Sequence, residues 1–554
     1  MVANMQFASR KSDGLPSNCP MSKYLLTSSN KAASLHVEEE SSPPPGMVYN
    51  TFFGLVNSNP DPIFSFLRVV APFFTMTKPG GEKDIKITVV TRGKDVEELF
   101  SQHTLLNVPY AKAMVPSVGP FMLASDKCPF HSREKSIMMS LISQGDDMVS
   151  TVKEMTSAIA KENIAHGLET KTGEIDIAAH LGRKVAAKIV QRYFGFDAPE
   201  EMLLKWSFAT HYSFFNNDNS EEDVNRKGIE AGIEMRNYIR DVLIPKRKEA
   251  LKREPNKQDV VSRLLQTEFT KDTEFDEERI VSNVAGFVVG SIETMNNVIC
   301  KTMNQLLNKP EAMDMAQKAV DAGDDEGISR ICWEALRFDV PVFVKRVVSE
   351  DCDINGHHFE KGTVVLLSRR SAVMDPEWIE NPMVFNPHRK SDNPMFHFGH
   401  GIHTCLGRDV AKIAVPMVIK EIILHGNGMI GRVEGPLGDM KFNQSGDYVE
   451  SLKVKLGSEK TKDMTWMTSL SMITYYLVLF MNVIESVLDQ ANKIIIGPKM
   501  IGNLSTFPLT QFGFIFTLVL LSVLVASDAV LPLSTETYIN IRQSLKFKKK
   551  KKKK

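Results

Sequence analysis

The stretch FHFGHGIHTCLG, Phe396–Gly407, sets His397, His400 and His403 around one cysteine, Cys405, with Gly399, Gly401 and Gly407 between them. Histidine and cysteine in one short loop are metal-binding chemistry. A structural zinc site takes four ligands, usually as two close pairs. The remaining cysteines, Cys19, Cys128, Cys300, Cys332 and Cys352, are scattered and make no C-x2-C pair. Zinc is therefore a poor fit. One thiolate beside glycines and an aromatic ring suits a cofactor that supplies most of its own ligands. Haem does so, because its ring nitrogens fill the plane and cysteine is one of its known axial ligands.

Read as F-G-x-G-x-H-x-C-x-G, Phe398–Gly407 resembles the haem-binding loop of the cytochrome P-450 family without a mismatch. The resemblance makes Cys405 the metal ligand of haem b (iron protoporphyrin IX) and lays Phe398 against the proximal face. Gly399 and Gly401 would permit a tight turn beneath the macrocycle, and Gly407 would let the following helix approach it. The residues that follow place Leu406, Val410, Ile413 and Met417 at helical spacing. Cys405 is thus expected at a helix N-terminus, where the dipole and free amides favour a thiolate. Pro416 is expected to kink that helix.

Other segments match the family in order. Glu334 and Arg337 in CWEALRFDVP lie three apart, an ordinary surface pair if taken alone. The resemblance makes them a buried E-x-x-R pair, joined by Arg389 of FNPHRK. It also nominates donors for the haem propionates: Arg346 in VKRVV, His403 in the loop, and His131 and Lys135 in CPFHSREK. Lys135 stands where the family has arginine, and a lysine lacks the bidentate fork. The long apolar segment around GSIET is the candidate oxygen-side helix, capped by Asp272 or Thr273 and followed by Pro310. Glu293 and Thr294 would be its acid–alcohol pair for proton delivery. Ser291 replaces a glycine usual in the family, and its hydroxyl could bond the i−4 carbonyl or narrow the pocket. Phe287, Gly290, Val342 and Phe343 would line the substrate pocket.

The expected fold is mainly α with minor β, a single large haem domain over 46–457. Strands are expected at Asp84–Val90, Thr363–Ser368 and Ser451–Leu456, and an amphipathic helix over 173–196. Residues 1–45 read as a disordered leader and linker ending in EEESSPPPG; Arg10, Lys11, Lys23 and Lys31 against Asp13 alone before Glu38 also suit a transit peptide. The tail 458–554 is hydrophobic and ends in a lysine run. Its apolar stretches are long enough to span a bilayer, so membrane contact through 464–554 competes with translated non-coding sequence.

The 67 basic and 67 acidic residues leave no bulk charge for nucleic acid. Few cysteines, none at disulfide spacing, suit a reducing compartment. The function implied is a monooxygenase taking dioxygen, an apolar organic substrate and electrons from an external NAD(P)H-dependent reductase or ferredoxin. A hydroperoxide isomerase or lyase of the same fold, and a catalytically silent haem protein, are the alternatives. Thr294 and the intact cysteine loop weigh against the former.

Overall fold

The computed structural model describes residues 46–457 except 81–83, 127–128, 145–146, 171–172, 218–219, 391–392, 428, 434–438 and 444–447. The leader 1–45 and the tail 458–554 lie outside the described residues, with the expectations attached to them. Of the two units into which the chain divides, the one spanning 6–460 contains everything described.

Runs of β-branched residues build the larger sheet. FFTMTK and IKITVV form the antiparallel strands β1 (Phe73–Lys78) and β2 (Ile85–Val90). β3 (Leu106–Asn107) is the far edge, next to β5 (Phe343–Val348). Between them and β2 lies β8 (Val364–Ser368), parallel to β2 and antiparallel to β5. Both faces of this sheet are covered. Val90, Leu106, Val348 and Val365 pack on one side; Met76, Ile87, Val89 and Leu366 pack on the other with Phe52 and Phe64. A smaller sheet places β12 (Lys453–Leu456) between β4 (Glu174–Asp176) and β9 (Ile430–Arg432). Two hairpins complete the β-structure: β6 (Cys352–Ile354) with β7 (His357–Phe359), and β10 (Lys441–Phe442) with β11 (Val449–Ser451).

Two expected elements are corrected. The late strand Ser451–Leu456 is divided between β11 and β12, because the chain changes sheets at Leu452, whose N–H donates to Asp176 Oδ1 at 3.2 Å. The helix over 173–196 begins as strand β4, since Glu-Ile-Asp finds β12 as a partner. Helix follows only from Ala178, with π-turns at Ala178–Gly182 and Val190–Phe194 around the α-helical Arg183–Ile189.

The largest cluster of buried residues surrounds one helix, Glu277–Asn308. Its 32 residues give a length of about 48 Å. Its cap is Asp276, whose Oδ1 accepts the Arg279 N–H at 2.9 Å, rather than Asp272 or Thr273, which form a short 3-10 turn. Pro310 opens the next helix at its first position. Among the described residues no helix is long and apolar enough to cross a membrane.

A buried charge cluster bolts the segment leading to Cys405 onto the helix Asp325–Arg337. Arg337 is wholly buried; its Nε and Nη2 donate to Glu334 at 3.0 and 2.7 Å. Its remaining protons reach the Val373 and Val384 carbonyls at 3.2 and 3.3 Å. Glu334 Oε1 also accepts from the Asn386 N–H at 3.0 Å and from Arg389 at 3.3 Å. Arg389 further donates to the carbonyls of Glu380, Asn381 and Val384. These are interior contacts, unlike an ordinary helical surface pair. Truncating Arg337 strands the Glu334 carboxylate, so Arg337→Ala should lose about 3–5 kcal/mol in urea unfolding. An unchanged midpoint would contradict the interior role.

Candidate active site

The cysteine loop is folded by its glycines. Gly399 and Gly401 both adopt positive φ, +70° and +69°. At Gly401 a Cβ would also stand 2.9 Å from the Phe100 carbonyl, so only glycine fits. The Cys405 N–H closes the turn onto the Phe398 carbonyl at 2.9 Å, and Thr404 caps Gly401 through its amide and its hydroxyl. Trp333, from the same helix as Glu334 and Arg337, meets the Phe398 ring at 5.1 Å. The buried charge cluster and the loop are thus joined through one tryptophan.

Cys405 is exposed, yet burial pushes its thiol pKa up, against the Gly407 amide and the Lys135 and Arg408 cations that favour the thiolate. Both statements hold for a sulfur recessed among protein atoms and open on one side. The helix begins at Arg408 with Gly407 as its N-cap, so Cys405 lies two residues before the cap and three before the helix. That helix runs on through Pro416 to Gly426.

The basic residues gather around this loop, but most are engaged. His131 Nδ1 meets the Met122 carbonyl and Nε2 the Ile402 carbonyl, each at 3.0 Å. Lys135 Nζ bonds the same Ile402 carbonyl, and burial lowers its pKa. His403 Nε2 is 2.7 Å from Asp126 Oδ1, while its buried Nδ1 has no protein partner. Burial pulls the His403 pKa down despite Asp126. Arg346 is nearly fully buried, its guanidinium 5.6 Å from the Phe100 ring, with Nη1 on the Lys345 carbonyl at 2.9 Å.

On the central helix, residues 281–289 are all buried, whereas Gly290 and Thr294, one turn apart, are exposed. An interior helix with one bare stripe borders an opening. Thr294 Oγ1 donates to the Gly290 carbonyl at 2.5 Å. Ser291 is half-buried, and its hydroxyl makes no hydrogen bond among the described residues, so the i−4 bond is made by Thr294 instead. Glu293 points elsewhere: both carboxylate oxygens accept from Arg183 Nε, at 3.0 and 3.1 Å. Arg183 Nη2 and Asn296 Nδ2 both bond the Val449 carbonyl, at 3.0 and 2.8 Å, tying β11 to this helix. Of the pocket candidates, Gly290 borders the opening. Phe287 does not; it is buried and stacks on Phe194 at 4.5 Å, because its position faces the core. Val342 is half-buried, and Phe343 packs edge-on against Phe53 and Phe64.

A flat, apolar macrocycle with an anionic edge fits these features. Cys405 is exposed, and beyond their immediate chain neighbours no described atom lies within 4 Å of where a Cβ would stand at Gly290 or Gly407. Cationic and orphaned donors border the loop. Sequence reasoning missed Arg183, Asp126, Trp333 and Arg369. Only Arg369 left a signal, an arginine directly after the apolar strand TVVLLS.

A mainly helical fold with such a thiol is the arrangement a haem-thiolate protein would need. The cytochrome P-450 family model matches residues 201–425. The vitamin D(3) 25-hydroxylase of Pseudonocardia autotrophica is 26% identical over 377 residues, covering 66% of this chain and 86% of that protein. The polyketide biosynthesis cytochrome P-450 PksS of Bacillus subtilis (strain 168) is 25% identical over 348 residues, 62% of this chain and 77% of that one. Among solved structures, P450BioI in complex with an acyl carrier protein ligated to hexadec-9Z-enoic acid aligns with a TM-score of 0.59. Its identity is 22%, over 73% of this chain and 100% of that chain. The chain belongs to the cytochrome P-450 family and is a monooxygenase.

The Arg183–Glu293 pair yields a test of its own. Glu293 is almost fully buried, so Arg183→Ala should destabilise the protein by about 3–5 kcal/mol, and adding Glu293→Gln should restore much of that loss. Equal stability of the single and double variants in urea would show that the carboxylate does not depend on Arg183.

Proposed function

We propose that Cys405 is the axial thiolate of haem b, and that Thr294 with Glu293 manages protons while one oxygen atom enters an apolar small molecule. The reading rests above all on the open sulfur of Cys405 at the end of a glycine-built turn. The relatives' names, a vitamin D(3) hydroxylase and a polyketide-pathway enzyme, support an apolar substrate. Bound haem would supply dioxygen activation; two electrons would come from a separate NAD(P)H-dependent reductase or ferredoxin, and two protons from solvent, releasing one water.

The protein's part is to hold, orient and exclude. Phe398, braced by Trp333, would shield the sulfur from water. Because the Thr294 hydroxyl already donates to Gly290, its lone pairs remain free to accept. Thr294 would therefore orient a proton donor rather than surrender its own proton. Glu293 must leave Arg183 before it can carry a proton. Arg183 is partly exposed, with its side chain at 19%, so its outward motion would give the carboxylate a path to water. Ser291, with an uncommitted hydroxyl beside this stripe, would either crowd the opening or extend the path.

The spectrum of the ferrous carbon monoxide complex tests the ligand: a red-shifted, thiolate-type Soret band is expected for the full chain and its absence in Cys405→His. A thiolate band in that variant would remove the assignment. For proton handling, Thr294→Ala should retain haem and substrate but yield less product and more hydrogen peroxide per NADPH. The assay uses an added reductase system and any substrate that shifts the haem spectrum. Unchanged coupling would move the isomerase reading ahead.

A further inference from the structure

Haem carries two propionates, and this chain has committed most of the residues expected to meet them. Both His131 nitrogens are on carbonyls, Lys135 is on the Ile402 carbonyl, and His403 Nε2 is on Asp126. The substitution of lysine for arginine at 135 thus removes a fork and turns the remaining cation toward the loop backbone. Arg346 is left with one backbone contact and the Tyr110 hydroxyl, and no carboxylate lies within ion-pair range of it among the described residues.

One guanidinium has still less. Arg369 makes no hydrogen bond and no ion pair among the described residues, and its Nε is sealed from solvent. Burial brings its pKa down to about 10, and Arg346 pushes in the same direction. The residue as a whole is half-buried, so its terminal donors are open to an acceptor from outside the chain, and an anion there would relieve the unmet, sealed Nε. Its position says where. Arg369 directly follows β8, the strand paired with β5 through Arg346 and Val365. It lies close enough to Arg346 and to His397, beside Phe398, for its charge to act on both. It therefore stands near both the β5 arginine and the cysteine loop.

We propose that Arg369 binds a haem propionate, with Arg346 taking the other, so that two guanidiniums neutralise two carboxylates. The anchor would have moved from the helix Phe130–Ser143 to the start of the helix Arg369–Val373. The inference rests on the reading of Cys405 as haem ligand. A substrate carboxylate is the other source of the same chemistry, but the proximity to His397 and the pairing with Arg346 favour the haem edge.

The experiment uses the full-length holoenzyme and Arg369→Gln, with Arg369→Lys as a second variant. Haem transfer to excess apomyoglobin should accelerate by roughly tenfold or more in Arg369→Gln. The acceleration should be smaller in Arg369→Lys, which keeps the charge without the fork. The propionate bending band in the resonance Raman spectrum should shift, while the thiolate-type carbon monoxide band persists. Loss of that band in the unaltered protein would fault the Cys405 reading, not this one. Unchanged haem transfer and an unchanged propionate band in both variants overturn the proposal. Weakened spectral binding of a fatty acid but not of its alcohol, with haem retention unaltered, overturns it in favour of a substrate carboxylate.

Discussion

Everything near Cys405 depends on one carboxylate that water does not reach. Glu334 accepts from Arg337 on its own helix, from Arg389 at the far end of the meander (the irregular segment 374–389 that leads toward Cys405) and from the Asn386 backbone between them. An ionised carboxylate in the interior is tolerated only when its lone pairs are filled by cations and amides. That requirement fixes the meander, and the meander delivers the cysteine loop. The same helix contributes Trp333 against Phe398, so the charge cluster and the sulfur share one rigid support. A surface ion pair, screened and mobile, could not do this.

A second interior pair works in a different direction. Glu293 and Arg183 join the centre of the long helix to its neighbour, and with Asn296 they hold β11. The acid adjacent to Thr294 is therefore structural in the resting arrangement. One helical step separates a side chain locked in the core from one bare to the opening. A helix whose successive residues point about 100° apart can serve packing and chemistry in one segment.

The cations near the cysteine loop are unevenly partnered among the described residues. His131, Lys135 and His403 spend their donors on carbonyls or on Asp126, which shapes the loop itself. Arg346 and Arg369 spend few or none. The loop is thereby held largely by contacts within the protein, while Arg346 keeps only the Lys345 carbonyl and the Tyr110 hydroxyl and Arg369 has no hydrogen-bond partner among the described residues.

The sequence by itself determined the family, the glycine-built cysteine loop, the E-x-x-R pair with Arg389 and the long central helix. These are local patterns: glycines at fixed offsets, a charge pair one turn apart, and apolar residues at helical spacing. Tertiary structure alone decided the rest. Glu174–Asp176 became a strand because β12, far along the chain, offered it a partner. Phe287 went to the core because Phe194 stands across from it. Glu293 found Arg183, 110 residues away, and Arg369 found no acceptor among the described residues. Whether a side chain is paired, stacked or left open depends on residues distant in sequence, and spacing along the chain carries no record of them.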